Sequence, residues 1–346
     1  MVDAAVIGGG PAGCAAALAL RAAGASTIVI APPRARDKPT ETAVPRLGQL
    51  LHSLGAADAM AACEPCYGIE SNWGSPGPAL RPSITDPHGH AWFVHRRQFD
   101  AGLARLAQSA GTEWLATEAT GLHFGPEHAT VRTPDRIVEA RQVILATGSP
   151  PWTAKATAQA PVPVDAMVCY WSRLPAPLES RLLHVETTPH GWWYVCPGES
   201  RTTVACFVTD IETARTLRPR QLRNWHVLFQ ATRVSRQLGV DALAGRIEVV
   251  PVSVGHLAHR RGPRWIAIGD AAIKLAPLAS CGTASALDAG RRAARVLVDG
   301  APAAEQFDRW SAGLLAEFVR QRTSHYANSA AGSPGGFWAR RNPARN

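Results

Sequence analysis

Glycine spacing near the amino terminus constrains this chain more than any other feature. In Val6-Ile7-Gly8-Gly9-Gly10-Pro11-Ala12-Gly13 an apolar run breaks into glycines spaced G-x-G-x-x-G. An alanine-rich helical pattern follows at residues 14–23, then a second apolar run at 26–30. This is the strand–turn–helix–strand order of a dinucleotide-binding unit. Gly8 permits the tight turn, Gly10 lets backbone approach a pyrophosphate, and Gly13 lets helix pack on strand. Pro11 and Ala12 open the helix, whose first N–H groups are free to meet phosphate oxygens. A carboxylate that binds ribose hydroxyls is expected about 20 residues past the glycines. That position is Ala31, followed by Pro32 and Pro33, so the usual ribose anchor is missing. The glycines alone do not separate NAD from FAD.

With 346 residues the chain has room for two domains, or for one core with an inserted partner. Its 46% hydrophobic and 18% charged residues describe a globular protein. No apolar run reaches the length of a membrane span, and residues 4–23 lack the basic start of an export signal. No membrane association is expected, and a cytoplasmic location is the default. Seven scattered cysteines do not form a disulfide framework. Cys63-Glu64-Pro65-Cys66 has no second pair or histidine cluster to complete a zinc site, and reads as two ordinary thiols near a helix end. None of the twelve histidines sits in H-E-x-x-H. His184-Val185-Glu186 lacks the P-C-x-x-C that would complete a deaminase-type zinc site, so no catalytic metal is expected. The net charge of +9 comes without a nucleic-acid motif. It excludes no enzyme class, and a positive face suits an anionic cofactor or an acidic partner.

Hydrophobic periodicity predicts helices at 46–54 and 99–110, and strands at 113–115, 122–124, 130–132, 137–139 and 142–146. A proline-punctuated loop is expected at 32–45. Alternating strands follow at 167–171, 182–186, 192–196 and 202–209, then a helical stretch at 219–239 and a strand at 247–254. A buried strand at 265–268 precedes a helix at 282–299 and an amphipathic helix at 303–322, and 329–346 reads as loop. The fold class is therefore α/β. Residues 1–75, 95–160 and 255–300 are expected to build a Rossmann-like nucleotide domain from distant segments. Residues 76–94 and 161–254 are expected to form an inserted, mostly antiparallel substrate domain, with a helical carboxy-terminal segment at 301–346.

Four further segments carry a family resemblance. Gln142-Val143-Ile144-Leu145-Ala146-Thr147-Gly148 resembles the second nucleotide-binding strand of flavoprotein oxidoreductases. Trp265-Ile266-Ala267-Ile268-Gly269-Asp270-Ala271-Ala272 resembles their "GD" motif. Pro277-Leu278-Ala279-Ser280-Cys281-Gly282 resembles the segment lying along the isoalloxazine, and His95-Arg96-Arg97-Gln98-Phe99-Asp100 resembles the R-x-x-F-D signature of group A monooxygenases. The resemblance implies a glutathione reductase/PHBH-type FAD-binding domain, with FAD as cofactor. Its expected contacts are Gly8, Gly10, Pro11, Ala12, Gly13, Arg96, Thr147, Gly148, Gly269, Asp270, Pro277, Cys281 and Gly282.

Gly191-Trp192-Trp193-Tyr194 is similar to the W-W motif of flavin-dependent halogenases and their hydroxylating relatives. Ser71-Asn72-Trp73-Gly74-Ser75, residues 191–197 with 205–210, and Phe337-Trp338-Ala339-Arg340-Arg341 resemble the LodB-like flavoproteins, maturation enzymes for tryptophylquinone cofactors. This implies a monooxygenase that hydroxylates an aromatic substrate, most simply an indole, through a flavin C4a-hydroperoxide. By the resemblance the indole is a tryptophan of a partner protein. No independent NAD(P)H motif is visible, so a separate flavin reductase is an expected source of electrons. Two alternatives stand beside it. One is an oxidoreductase or halogenase of a small or carrier-bound aromatic metabolite; the other is an FAD-binding maturation factor without turnover.

Trp192 and Trp193 are expected to shape the substrate pocket or exclude water, although adjacent strand residues face opposite sides. Glu41 either anchors FAD and polarises the reaction or is a surface carboxylate. His190 is an acid–base candidate or a satisfied loop histidine. Thr40 and Ala276 stand where relatives carry glycine and aspartate. Lys38, Lys155 and Lys274 offer no counterpart to the halogenase lysine, which counts against halogenation.

Overall fold

The computed structural model describes residues 1–33, 37–74, 77–148, 150–238, 245–332 and 336–341. The expected domain boundary at 75/76, the end of the helical stretch at 239 and the tail beyond 341 lie outside them. Six strands of an eight-stranded sheet run in the order Arg261–Gly262, Trp265–Ala267, Ile137–Leu145, Val2–Ile7, Thr27–Ile30 and Glu113–Leu115, and Ala129–Arg132 with Gly121–Phe124 branch from Ile137–Leu145. The four central pairings are parallel. Parallel strands buried on both faces read as unbroken apolar runs, and all four residues of Thr27–Ile30 are buried. Residues 137–139 and 142–146, expected as two strands, form one strand, Ile137–Leu145. Its alternating first half pairs with the antiparallel strand Ala129–Arg132, and its apolar second half enters the parallel core.

Two helices cover one face of this sheet, Pro11–Ala22 and Gly282–Asp299. They touch because Gly290 has no Cβ; one there would collide with the Ala12 carbonyl oxygen.

A seven-stranded sheet lies in the order Glu248–Pro251, Met167–Leu174, Thr203–Asp210, Gly191–Pro197, Leu183–Thr188, Gly68–Asn72 and Ala79–Pro82. All its pairings are antiparallel except Leu183–Thr188 with Gly68–Asn72. The expected strand at 247–254 divides into Glu248–Pro251 and Val254–Leu257, which belong to different sheets. The helical stretch divides into Leu222–Gln230 and Arg233–Leu238, because the Thr232 hydroxyl turns back onto the Phe229 carbonyl. A helix not expected from periodicity, Ile211–Leu217, begins where the Asp210 carboxylate accepts the Thr213 N–H at 2.8 Å.

The expected loop at 32–45 contains a strand, Glu41–Ala43. It pairs with Ala91–Val94, which also pairs with Cys63–Cys66. The C-x-x-C motif thus lies on a strand that directly follows the 3-10 helix Ala57–Ala62. Both thiols are free, and burial pushes Cys63 up to about 12.

The carboxy-terminal helix runs Ala301–Gly332, past the expected end, and a short helix Gly336–Ala339 stands where loop was expected. Phe318, Arg322, Tyr326 and Ser329 share one helical face, which carries the helix onward against the seven-stranded sheet. Trp338 is fully buried and donates its indole N–H to the Thr188 carbonyl at 2.6 Å. Among the described residues no helix is long and apolar enough to cross a membrane.

Candidate functional site

The glycine turn, the end of the Ile137–Leu145 strand and the turn after Trp265–Ala267 meet at one edge of the parallel sheet. Gly8 has φ +112°, and a Cβ on it would collide with the Ala146 carbonyl, so Gly8 and the Ala146-Thr147-Gly148 turn are in contact. A Cβ on Gly269 would lie 3.0 Å from that of Ala12. Gly8, Gly10, Pro11, Ala12, Gly13, Gly148, Gly269 and Asp270 are thereby gathered. Thr147 turns its hydroxyl to Thr153 at 2.8 Å. No side chain caps the Pro11–Ala22 helix, which leaves its first N–H groups for a ligand. Cβ atoms on Gly10, Gly148 or Gly282 would meet no protein atom within 4 Å. Glycines pressed against protein on one side and open on the other make a cradle that fits a dinucleotide. Where the ribose carboxylate is missing, Ala31 is buried, and a Cβ on Gly9 would run into Ala31 and the Trp114 ring.

A second wall is built from Glu41–Ala43 and the segment Pro277–Ala279 with Ser280, Cys281 and Gly282. Val44 N–H donates to the Ser280 carbonyl at 3.2 Å, which joins the two. Glu41 Oε1 accepts from Arg96 Nη1 at 2.5 Å, and Oε2 accepts from the Thr283 hydroxyl at 3.1 Å. Arg96, in the first turn of the helix Arg96–Ser109, also donates from Nε and Nη2 to Asp100 at 3.1 and 3.2 Å. Lys38 Nζ reaches the same carboxylate at 3.0 Å. Burial alone would weaken the Arg96 charge, but Glu41 and Asp100 outweigh it and strengthen it.

Asp270 is open to solvent yet recessed. Crowding by surrounding protein pushes its carboxyl up to about 6; Lys274 opposes this and Glu41 adds to it. Burial raises the Cys281 thiol, so it is un-ionised beside the wall.

Side-chain alternation separates the two tryptophans. Trp192 joins the apolar cluster that contains Ala276, Leu278 and Ala279, on the side of the second wall, with Trp73 at 6.4 Å. Trp193 faces away and packs among Phe207, Trp225 and Phe229 at 5.0–5.1 Å. The structure brings Trp192 towards the cradle and leaves Trp193 in a separate core. His190 sits exposed at the turn between Leu183–Thr188 and Gly191–Pro197. It is about 13 Å along the strand from Tyr194, at 3.3 Å per residue.

Tyr194, Thr42, Thr40, Asp100 and Thr283 were not among the expected site residues. Tyr194 is buried and shares a 2.8 Å hydrogen bond with the Thr42 hydroxyl, tying the second wall to the seven-stranded sheet. Asp100 was legible in principle, since Arg96 and Asp100 are spaced i, i+4 on one helix face. Thr42, Tyr194 and Thr283 carry no local signal, because their partners are distant in sequence. No group of three or more metal-ligating side chains occurs among the described residues.

Comparison with known proteins agrees with this geometry. Residues 2–165 match the family described as pyridine nucleotide-disulphide oxidoreductase. The chain is 24% identical over 361 aligned positions to a Marinomonas mediterranea protein named as an FAD-dependent oxidoreductase, LodB, covering 98% of this chain and 96% of that protein. Its fold matches CmlS, a flavin-dependent halogenase, with TM-score 0.88 at 20% identity over 99% of this chain and 67% of that one. It matches QhpG, a peptidyl tryptophan dihydroxylase essential for tryptophylquinone cofactor biogenesis, with TM-score 0.79 at 21% identity over 98% and 78%. The architecture is an FAD-binding oxidoreductase fold; the cradle fits a dinucleotide, and the comparisons point to FAD.

Proposed function

We propose that this chain is an FAD-dependent monooxygenase that hydroxylates an indole, carried by a tryptophan of a partner protein undergoing quinone-cofactor maturation. One observation carries the reading: the Trp192 face of the seven-stranded sheet shares an apolar cluster with Ala276, Leu278 and Ala279. In this reading the aromatic substrate binds beside this cluster, next to the flavin-side segment. The LodB and QhpG resemblances favour a tryptophan as that ring.

When bound, FAD supplies the oxygen-activating chemistry. The chain supplies binding, orientation and dryness. Gly10 and the first N–H groups of the Pro11–Ala22 helix would hold the pyrophosphate, and Asp270 would hold the ribityl chain. Arg96 and Thr283 fix Glu41 at the second wall. The Trp192 cluster keeps water from the reacting atoms. His190, exposed at its distant turn, has no proton to move in this scheme. Asp270 is the carboxyl of the cradle, and Glu41 is a carboxylate of the second wall. A separate flavin reductase supplies electrons.

Halogenation is the weaker reading, because Lys38 is held by Asp100 and Lys274 donates to the Pro251 carbonyl at 2.8 Å. To test the proposal, the purified protein is reduced, mixed with oxygen and a tryptophan-containing peptide, and the peptide is weighed by mass spectrometry. Gain of one or two oxygen atoms on tryptophan is expected. Protein that takes up no flavin, or oxidises free aromatics but never the peptide, sinks the proposal.

A further inference from the structure

The strand carrying Cys63-Glu64-Pro65-Cys66 places Glu64 beside one buried histidine. Glu64 is paired across the strands with Phe93, two residues before His95. His95 is 6% exposed, and its Nε2 lies 2.9 Å from Glu64 Oε1, while the other Glu64 oxygen is held by Arg181. On the opposite side of the ring, Nδ1 lies 3.3 Å from the hydroxyl of Thr40, which is 2% exposed. The backbone on either side of the ring is fixed as well: His95 N–H donates to the Ala62 carbonyl, and Phe99 N–H donates to the His95 carbonyl. The imidazole is thus clamped at both nitrogens, and the clamp ends on the residue immediately before Glu41.

Three consecutive side chains, Thr40 to Thr42, are then each gripped by residues distant in sequence. Thr40 is held by His95, Glu41 by Arg96 and Thr283, and Thr42 by Tyr194. Glu41–Ala43 is only three residues long and pairs on one side with Ala91–Val94, too little sheet to fix its own register. Where Glu41 points depends on what anchors its neighbours. The Thr42 anchor sets one end of the segment, and the Thr40 anchor sets the other.

We propose that His95 is a positioning residue of the cofactor site, which holds Thr40 through Nδ1 so that the Glu41 carboxylate meets Arg96 and Thr283 at the flavin-side wall. Glu64 and Arg181 orient the ring from behind. This deepens the FAD reading and rests on it.

The two ring nitrogens can be tested separately. Asparagine places its amide near the position of Nδ1, and glutamine near that of Nε2. His95→Asn therefore keeps the Thr40 contact and gives up Glu64, whereas His95→Gln does the reverse. The readouts are the FAD dissociation constant, by fluorescence titration of the flavin-free full-length protein, and the visible circular dichroism of bound flavin. Expected are an FAD affinity for His95→Asn within about threefold of the parent and a loss of at least about tenfold for His95→Gln with an altered flavin spectrum, as one lost hydrogen bond to a wall residue implies. Glu64→Gln, which leaves a polar partner behind the ring, is expected to follow the asparagine variant. Equal losses in both histidine variants, or a glutamine variant indistinguishable from the parent, overturn the proposal. If neither histidine variant folds, Thr40→Val carries the same test from the other side. Loss of affinity with an altered spectrum supports the clamp, and unchanged binding overturns it. A parent protein that binds no FAD overturns the function proposed above instead.

Discussion

Asp270 sits in a recess with solvent on one side and protein crowding it on the other. Its folded pKa of about 6 lies above the ordinary carboxylate value. A raised acid favours the fold only while protonated, so the flavin-free protein is expected to lose stability as pH rises from about 4 through about 6. Thermal melts across that range should show the slope, and Asp270→Asn should flatten it. The tryptophan pair gives a second prediction. Trp193→Ala empties a core of stacked aromatic rings and is expected to cost about 3–5 kcal/mol in urea denaturation. Trp192→Phe removes less volume from its buried cluster, so its expected effect is a raised KM for the aromatic substrate with a smaller loss in denaturation midpoint than Trp193→Ala. Period-two alternation already said that the two could not share a face. Which of them met the cradle was illegible, because that depends on what each face of the sheet packs against.

At the scale of elements, the packing of Pro11–Ala22 on Gly282–Asp299 turns on Gly290. Gly290→Ala would drive a methyl into the Ala12 carbonyl and push the second helix away from the sheet. The expected outcome is a destabilisation of about 1–3 kcal/mol with weakened FAD binding, read by denaturation and flavin fluorescence. The parallel strands and both these helices were legible from composition, since burial on two faces writes itself as unbroken apolar sequence. Glu41–Ala43 and Cys63–Cys66 were not, because three or four mixed residues become strand only by pairing with Ala91–Val94. Ile211–Leu217 escaped for the opposite reason. One side-chain cap on Asp210 starts it, and its short length gives periodicity little to register.

Over the whole molecule, the carboxy-terminal elements are bound by a compact ionic cluster to Asp210 of the seven-stranded sheet and Asp165 of the neighbouring strand Pro161–Asp165. Arg341 bridges Asp165 at 2.8 Å and Asp210 at 2.7 Å, and Arg340 donates to Asp210 at 2.8 Å. Burial raises the Asp210 carboxyl, but the Thr213 N–H and the two guanidinium groups overcome it and hold the carboxyl at about 2. A depressed acid lends stability above its unfolded value and loses it on acidification through the folded one. The contribution, about 2 kcal/mol, is therefore present above about pH 4 and lost as pH falls towards 2. Asp210→Asn should remove that acid-sensitive step from the unfolding profile. The long reach of the second wall also sets a clock. Glu41 meets Thr283 across 242 positions of chain. At ribosomal speeds of roughly 5–20 residues per second, an emerging Glu41 waits on the order of ten to fifty seconds before Thr283 is made. Nascent chains arrested before that residue are expected to retain no FAD, which would place loading of the cofactor late in synthesis or after it.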